Sequence, residues 1–271
     1  MPSLSVVIIT HNEEEMIKGC LESVNWADEI IVVDGDSQDK TRAIVSQYTK
    51  KVFTRKFTGF ASQKNFAIGK ATQDWILLLD ADERVSGELR TEITRLLTSK
   101  PAKVAYDITF VNYFLGRRMN YGGWQHETHI RLFRKGKARY VDQEIHEYLD
   151  IKGAVAPITG PIYHFSHRDI SSNLLKTDHY AQLEAHYHYL RHSPTVTRWS
   201  LFKGVVDHFW YRYIREKGYL DGMEGFIEAM YQAFSYIFII QSMLWEKQRG
   251  SSSRELYARL DNQLTKRNFT L

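Results

Sequence analysis

Two acidic clusters directly follow apolar runs, and both carry residue types expected of a metal-dependent site. The run in "WILLLDADE" ends in Asp80, Asp82 and Glu83, and the run in "EIIVVDGDS" ends in Asp34 and Asp36. Two carboxylates separated by one residue can converge on one divalent cation, and oxygen ligands of this kind suit Mg²⁺ or Mn²⁺. Because proteins usually hold Mg²⁺ with one or two carboxylates plus substrate phosphates, the pattern predicts a nucleotide diphosphate ligand. The structural alternative is a pair of solvated loop acids that cap the next helix.

The upstream cluster, "DGDSQDKT", contains residues that fit both explanations. Asp36 or Ser37 is suited to start the helix that follows, and Asp39 is favourably placed near the positive end of that helix. Asp34 is the better candidate for ligand binding, because its position at the end of a strand owes nothing to helix capping.

The elements around these clusters alternate between strand and helix. Apolar runs predict strands over Ser5–Ile9, Glu29–Val33, Lys51–Thr54 and Trp75–Leu79. Apolar spacing and capping signals predict helices over Asn12–Val24, Thr41–Tyr48, Ser62–Ala71 and Ser86–Leu97, with Asn12 and Ser86 as N-caps. The alternation predicts a parallel α/β sheet, in which ligands bind at the carboxyl ends of strands. We therefore expect Thr10–Asn12, Asp34–Asp39 and Asp80–Glu83 along one rim.

The remaining chain is less regular and then becomes helical. We predict a strand over Val104–Val111, a loop over Gly116–Trp124, a hairpin over Ile130–Tyr140 and an irregular or strand region over Val141–Leu149. From about residue 171 the sequence has helical spacing and many histidine and aromatic residues. The expected organisation is one domain over residues 1–170, with a nucleotide half over about 1–95 and an acceptor half over about 96–170. A helical C-terminal region follows over 171–271.

Composition limits the classes of function. The chain has 271 residues, of which 43% are hydrophobic and 25% charged, so it is a folded rather than a disordered type. A net charge of +4 suits an anionic substrate, a nucleic acid or an anionic membrane surface, and does not choose among them. Cys20 is the single cysteine of the sequence, which excludes an internal disulfide, and we expect it to be a small core residue.

Three segments together resemble a known family. "LSVVIITHNEEE", "IIVVDGDSQDKT" and "WILLLDADE" are similar, in order and spacing, to the inverting glycosyltransferases of family 2, which have the GT-A fold. Further segments, "NYFLGRRMNYGGW", "HIRLFRKG" and "EIHEYL", resemble a bacterial subgroup that includes the lipopolysaccharide core β-glucosyltransferases. The resemblance covers roughly residues 3–170. It implies a mostly parallel, Rossmann-like sheet flanked by helices, here with a helical C-terminal extension.

The resemblance also assigns roles to individual residues. It implies nucleotide contacts for Thr10, Asn12 and Asp34, for the neighbouring Lys64 and Asn65, and for Asp80. Asp80 and Asp82 match the metal-binding DxD of the family, with Asp82 as the more direct ligand of Mg²⁺ or Mn²⁺. Many family members carry a second acid where this chain has Gly35, so recognition of the base is expected to differ.

The reaction implied is transfer of a sugar from a nucleotide-diphosphate sugar, expected to be UDP-linked, to an acceptor hydroxyl. A carboxylate has to take the acceptor proton, and it is expected after the DxD on the acceptor side. Asp142, Glu144 and Glu147 are the candidates, and the "HE" pair of the subgroup favours Glu147, with Glu144 second. Alternatively, Glu147 is a structural partner of Arg131 or Arg134.

Other residues fit two interpretations each. Trp124 in "GGW" is either a platform for a sugar ring or a core residue, and Arg131 in "RLF" pairs either with a diphosphate or with a carboxylate. The late histidines match no zinc spacing, so core or solvated histidines are expected, with His164 and His167 also suited to bind phosphate or acceptor.

The composition of the C-terminal region fits two environments equally well. From Arg198 to Trp245 it interleaves cationic and aromatic residues, which is typical of a membrane interface and equally of helices packed on a domain. No signal peptide or membrane-spanning pattern is found, so we expect a cytoplasmic protein, peripheral at the inner membrane, with a lipid-linked glycan such as a lipopolysaccharide core as acceptor. Nucleic acid is not expected as a partner, because no binding motif accompanies the charge.

Three alternatives remain besides the transferase. "IVVDGDS" resembles the nucleophile loop of haloacid-dehalogenase-type phosphatases, although that loop would be expected on the first strand. Sugar nucleotidyltransferases share the fold class, but their glycine-rich first loop is missing from this sequence. A sugar-nucleotide or lipid-binding module without catalysis is the non-enzymatic alternative, and metal-dependent hydrolysis of a nucleotide sugar would distinguish it.

Overall fold

The chain forms two compact units, Met1–Arg168 and Asp169–Leu271. The computed structural model describes residues 3–99, 101–141 and 148–269. In the first unit the strands are β1 (Leu4–Thr10), β2 (Glu29–Asp34), β3 (Val52–Thr54), β4 (Trp75–Asp80), β5 (Glu83–Val85), β6 (Ala105–Phe114), β7 (Arg117–Arg118), β8 (Thr128–Arg134), β9 (Ala138–Val141), β10 (Tyr148–Ile151) and β11 (Val155–His167). Its helices are α1 (Ile17–Ser23), α2 (Thr41–Val45), α3 (Phe60–Lys70) and α4 (Gly87–Thr98), with a short 3₁₀ segment over Trp124–His126.

A mixed sheet organises the first unit. The described strands follow the order β3-β2-β1-β4-β8-β6-β11-β5, and β7 pairs with β6. The first four strands of that order are parallel to one another, and β8 joins them antiparallel to β4. β9 and β10 form a separate two-stranded sheet. The α/β class expected from the sequence is confirmed, and so is the helical C-terminal region.

Core packing on both faces of the sheet explains why the sequences of the parallel strands are continuous apolar runs. Every residue of β1 is buried. Val6 and Ile8 pack into one hydrophobic cluster and Val7 and Ile9 into another, so the sheet has a core on each face. A strand covered on both faces has no solvent side, and both sets of alternating side chains are therefore apolar. Cys20 is part of the first cluster and is fully buried, as expected.

The register of the parallel strands brings the acidic clusters to one edge. Thr10 lies opposite Asp34 on β2, and Ile9 lies opposite Asp80 on β4. The carboxyl ends of β1, β2 and β4 are thus level with one another. The expected common rim is confirmed by this register.

Of the capping predictions at three helices, two were wrong and one is confirmed. Helix α1 begins at Ile17 with Met16 as its N-cap, so the prediction that Asn12 caps it was wrong. The helix after "DGDSQDKT" begins at Thr41, and its N-cap, Lys40, makes no side-chain capping bond, so neither Asp36 nor Ser37 caps it. The predicted N-cap Ser86 is confirmed, because its side chain accepts a hydrogen bond from the backbone N–H of Leu89.

The predicted hairpin over Ile130–Tyr140 was also wrong. Its two strands, β8 and β9, belong to different sheets, because β8 pairs with β4 and β6 while β9 pairs with β10. Strand β11, which the sequence analysis left out, pairs with β6 in parallel and with β5 in antiparallel orientation. Alternation of apolar residues identifies a strand, but it does not identify the strand's partner.

The second unit is helical. Its helices are α5 (Ile170–Leu190), α6 (Arg198–Trp210), α7 (Gly222–Gln232), α8 (Ile240–Gln248) and α9 (Ser253–Phe269), with π-helical segments over Tyr211–Arg215 and Ala233–Ile239 and a 3₁₀ segment over Gly218–Asp221. Helix α5 packs against α8, and α6 packs against the second π-helical segment. Among its described residues, the buried hydrophobic side chains are four alanines and Leu244. No helix among the described residues is long and apolar enough to cross a membrane.

Candidate active site

Arg131 of β8 lies between two acids of the DxD segment. Its Nη2 donates to Asp80 Oδ2 at 2.9 Å and also to Glu83 Oε1. Glu83 is fully buried, and its other oxygen accepts the backbone N–H of Asp80 at 3.0 Å. The Arg131 side chain is 9% exposed and that of Asp80 is 30% exposed. The sequence predicted either a diphosphate or a carboxylate as the partner of Arg131, and in the structure its partners are the carboxylates of Asp80 and Glu83. A diphosphate that binds Arg131 would have to share the guanidinium group with these carboxylates or replace one of them.

The charges of this cluster divide unequally between the two acids. Burial raises the pKa of Asp80, but the positive charges of Arg131 and Lys64 outweigh burial and hold its pKa below the usual range. Burial raises the pKa of Glu83 well above the usual range, with the neighbouring Asp80 and Asp82 adding to the effect. The more exposed acid, Asp80, therefore keeps its negative charge more readily.

A chain of polar side chains extends from Asp82 into the sheet. His164 Nε2 lies 3.7 Å from Asp82 Oδ1, and His164 Nδ1 is 2.9 Å from Asn112 Oδ1. Asn112 in turn donates to Glu127 Oε2 at 2.5 Å, and Glu127 Oε1 is 2.9 Å from His129 Nε2. Burial alone raises the pKa of Glu127, but contacts with His129 and Asn112 lower it overall. Asn112 and Glu127 each have a hydrogen-bond partner on both sides, and the contact of Asn112 with Nδ1 leaves Nε2 of the His164 ring on the side of Asp82.

Strand pairing explains how these distant residues meet. On β11, His164 lies opposite Glu83 of β5 and opposite Asn112 of β6. The sequence analysis proposed phosphate or acceptor binding for His164 and His167, and it did not connect His164 with Asp82. The signal that singles it out is tertiary, because it requires both the parallel and the antiparallel partners of β11.

The rim at β1 and β2 is organised by short hydrogen bonds. Asp34 is buried and accepts from the backbone N–H of Ser37 at 2.9 Å and from Ser37 Oγ at 2.5 Å. Asn12 has a positive φ of 52°, and its Oδ1 accepts the backbone N–H of Gln38 at 2.8 Å. Thr10 Oγ1 is buried and has no hydrogen-bond partner among the described residues. These bonds hold the two loops together at the strand ends.

The Lys64–Asn65 pair of α3 faces strand β9. Asn65 donates to the carbonyl of Tyr140 at 2.7 Å and accepts the backbone N–H of Tyr140 at 2.9 Å. Lys64 is buried, its Nζ lies 4.9 Å from the centre of the Tyr140 ring, and its charge acts on Asp80. Asn65 thus anchors the small sheet, while Lys64 contributes a cation near the DxD. Their roles as nucleotide contacts stay predictions.

The structure describes only part of the region in which acceptor-binding residues are predicted. Trp124 opens the 3₁₀ segment, is partly buried and contacts the His167 ring at a centroid distance of 5.7 Å. The candidate bases Asp142, Glu144 and Glu147 lie outside the described residues. A cavity of about 590 Å³ lies beside Arg131, and its lining includes Lys64, Arg131, Tyr140, His129 and Asp107. It borders the DxD cluster through Arg131 and Lys64.

Similarity to known proteins identifies the family. The model of the family described as "Glycosyl transferase family 2" matches residues 5–151, more than half of the chain. The chain belongs to glycosyltransferase family 2. A curated relative, the lipopolysaccharide core biosynthesis glycosyltransferase LpsC of Rhizobium meliloti, is 30% identical over 90% of this chain and 92% of its own length. An uncharacterized glycosyltransferase of Rickettsia typhi is 28% identical over 87% of this chain and 84% of its own.

The family 2 assignment makes the chain a glycosyltransferase and fits the GT-A architecture seen in its sheet. A solved structure, S. aureus TarS 1-349 in complex with UDP, covers 92% of each chain with a TM-score of 0.46 and 13% identity. Mannosyl-3-phosphoglycerate synthase from Rubrobacter xylanophilus covers 73% of this chain and 77% of its own with a TM-score of 0.48 and 13% identity.

A divalent ion fits the donor groups at the DxD of this glycosyltransferase. Asp82 and Asp80 present partly exposed carboxylates at the end of β4, which is the ligand type preferred by Mg²⁺ and Mn²⁺. Among residues 3–99, 101–141 and 148–269, no group of three acidic, histidine or cysteine side chains could hold a metal ion on its own. An ion held by one or two carboxylates and substrate phosphates does not need such a group.

Proposed function

We propose that this glycosyltransferase moves a sugar from a nucleotide-diphosphate sugar, UDP-linked, to a hydroxyl of a bacterial envelope glycan such as a lipopolysaccharide core. The observation that supports the proposal is the register of β1, β2 and β4, which brings Asp34 and Asp80 to the same edge of the sheet, with Asp82 two residues after Asp80. The relative named for lipopolysaccharide core biosynthesis supports the acceptor class.

The proposed donor site follows from the positions of the side chains. Asp34 with Thr10 and Asn12 lies where the nucleoside would bind, and Thr10 Oγ1 offers a buried hydroxyl without a partner among the described residues. Asp82, oriented by His164, would hold the Mg²⁺ or Mn²⁺ ion, with Asp80 as the second carboxylate. When bound, the ion supplies positive charge that stabilises the departing diphosphate.

Arg131 and Lys64 supply the fixed positive charge of the same site. Both side chains are buried, and both act electrostatically on Asp80. A diphosphate placed beside Asp80 would accept hydrogen bonds from Arg131. The bond to Glu83 would hold the guanidinium group in place while it does so. Buried cations held by a second partner need no reorganisation when charge develops, and this is the condition for electrostatic catalysis.

In the proposed inverting step, the acceptor oxygen forms a bond to the anomeric carbon from the face opposite the diphosphate. The bond between that carbon and the diphosphate oxygen breaks, and the diphosphate leaves with the electron pair. The acceptor proton passes to a carboxylate, for which we propose Glu147, with Glu144 as the second candidate. Both precede β10, whose Tyr148 and Leu149 line the 590 Å³ cavity.

We further propose a cytoplasmic protein that is peripheral at the inner membrane, because nucleotide sugars are cytoplasmic donors and the proposed acceptor is lipid-linked. The test of the reaction is a screen of nucleotide sugars for metal-dependent hydrolysis and for transfer to deacylated core oligosaccharides. Hydrolysis without transfer to any core acceptor would contradict the acceptor class. Binding of a nucleotide sugar with neither hydrolysis nor transfer would favour the non-catalytic binding module.

A further inference from the structure

The second unit leaves an unusual number of large apolar side chains in contact with solvent. On α6 and the π-helical segment that follows, five of them repeat at intervals of three or four residues and are between 37% and 69% exposed: Trp199, Phe202, Val206, Trp210 and Ile214. This spacing places them on one side of the helix, as a stripe about 20 Å long at 1.5 Å of rise per residue. We call this set the α6 stripe.

The opposite side of α6 is the one that packs within the unit. A Cβ placed on Gly204 would lie 2.9 Å from Ile237, so this side of α6 closely approaches the second π-helical segment. His208, one turn further along, is buried enough that desolvation lowers its pKa. The α6 stripe is therefore not the packing face of an amphipathic helix. It is a second apolar face, directed away from the interior of its unit.

A second stripe adjoins the first. On α7 and the segment after it, Met223, Phe226, Met230 and Phe234 repeat at the same spacing and are between 41% and 68% exposed. Phe226 contacts Phe209 of α6 and Tyr213 at centroid distances of 5.9 and 5.5 Å. Phe209 and Tyr213 directly precede the stripe residues Trp210 and Ile214 in sequence, so these ring contacts place the α7 stripe beside the α6 stripe.

The charges around this surface select its partner. Residues 198–217 contain five lysine or arginine residues and two acids, and one of the five, Arg212, is paired with the buried Glu228 of α7. On α6, Arg198 and Lys203 border the stripe on its two sides, and Lys203 pairs with Asp207 on the same helix. The stripe has a tryptophan near each end, and tryptophan is enriched at membrane–water interfaces because its ring is apolar and its N–H is polar. The α6 part of this surface is apolar in the middle and cationic at its borders, which matches an anionic bilayer. The α7 part has no lysine or arginine over residues 218–246, so it contributes apolar area and no positive charge.

We propose that the α6 stripe, together with the adjoining α7 stripe, is a bilayer-binding surface for anionic lipids. The inference rests on the proposed function for the location at a membrane, and adds the contacting residues and the sign of the lipid charge. The helices lie in the headgroup region and do not cross the bilayer, in accordance with the length and hydropathy of the described helices. The alternative is that a second copy of this chain covers the same surface, and the experiment below distinguishes the two.

The experiment measures co-sedimentation of the full chain with vesicles of phosphatidylcholine alone and of phosphatidylcholine with phosphatidylglycerol, at low and high salt. We expect binding to the anionic vesicles at low salt, and weaker binding at high salt. The double substitution Trp199→Ser with Trp210→Ser should lower the partition coefficient at least about tenfold, since full burial of a single large apolar side chain already contributes about that factor. The matched control is Leu175→Ser with Tyr257→Ser, two side chains of the same unit that are 77% and 74% exposed but lie outside both stripes.

Four results would overturn the proposal: no binding of the unmodified chain to anionic vesicles, equal binding to neutral vesicles, equal loss in the control, or a dimer in solution that Trp199→Ser with Trp210→Ser dissociates without any change in vesicle binding. Hydrolysis of the nucleotide sugar in vesicle-free solution is measured for every variant. It reports on the transferase independently, so failure of the membrane surface and failure of the proposed reaction give different results.

Discussion

Arg131 and Asp80 form an ion pair, with 2.9 Å between Nη2 and Oδ2, and the same Nη2 also donates to the buried Glu83. The pair joins β8 to the end of β4, the strand that carries the DxD. One cation thus fixes the first acid of the motif and compensates a second acid that has no access to water. The site's geometry and the unit's stability depend on the same contact.

Replacement of Arg131 by Met should destabilise the chain by about 3–5 kcal/mol, because it leaves the buried Glu83 and the partly exposed Asp80 without their cation. Urea denaturation measures the loss, with Arg134→Met as control, since Arg134 is exposed on the same strand. The second substitution Glu83→Gln should restore part of the stability to Arg131→Met. If Arg131→Met is no less stable than Arg134→Met, the ion pair does not contribute the predicted stabilisation of about 3–5 kcal/mol.

Removal of the Asp82 carboxylate tests the metal site. Asp82→Ala should abolish the part of UDP binding that depends on Mg²⁺ or Mn²⁺, because the ion then has Asp80 alone, and that acid is already paired with Arg131. Titration calorimetry with and without the metal measures the difference. Asp74→Ala is the control, since Asp74 follows α3 and precedes β4, at the other end of that strand. Equal affinity of the unmodified chain with and without metal would contradict the proposed site.

The proposed base separates donor binding from transfer. Glu147→Gln should lower the rate of transfer by about 10²–10⁴-fold and leave the affinity for the donor unchanged, because the base acts on the acceptor proton. Rate assays and donor titration are performed on Glu147→Gln and Glu144→Gln in parallel. Normal transfer by Glu147→Gln together with loss in Glu144→Gln would move the role to Glu144.

The stability of the first unit should fall in acid because of Glu29. Burial raises the pKa of Glu29, but hydrogen bonds from Lys51, Ser5 and Thr72 outweigh it and lower the pKa from 4.5 to about 2. A depressed folded-state pKa stabilises the fold above pH 4.5, and that contribution is lost as the pH falls from 4.5 toward 2.

The measurement is the free energy of unfolding in urea between pH 6 and pH 2, for the unmodified chain and for Lys51→Met. Among the hydrogen bonds that lower the pKa of Glu29, the one from Lys51 contributes most. Removal of the Lys51 amino group should therefore reduce the change in stability across this pH range. Lys50→Met, on the neighbouring exposed lysine, should leave it unaltered. An identical pH dependence in both variants would show that the contact with Lys51 is not its source.

The sequence alone determined the parallel half of the first unit and the position of its rim. Apolar runs in β1, β2 and β4 end where polar residues begin, and parallel strands of similar length bring those ends to one edge. The N-cap Ser86, whose bond to Leu89 spans only three positions, was also predicted correctly, whereas the N-caps predicted at Asn12 and at Asp36 or Ser37 were wrong. These features depend on interactions along or between neighbouring segments of chain.

Tertiary structure decided what the sequence left open. Arg131 lies 51 residues after Asp80 and 48 after Glu83, and it meets them only because β8 pairs antiparallel with β4. His164 reaches Asp82 only because β11 inserts between β6 and β5. Strand alternation fixes which face a side chain occupies but not which strand lies beside it, so partners this far apart in sequence follow from the packing of the whole sheet.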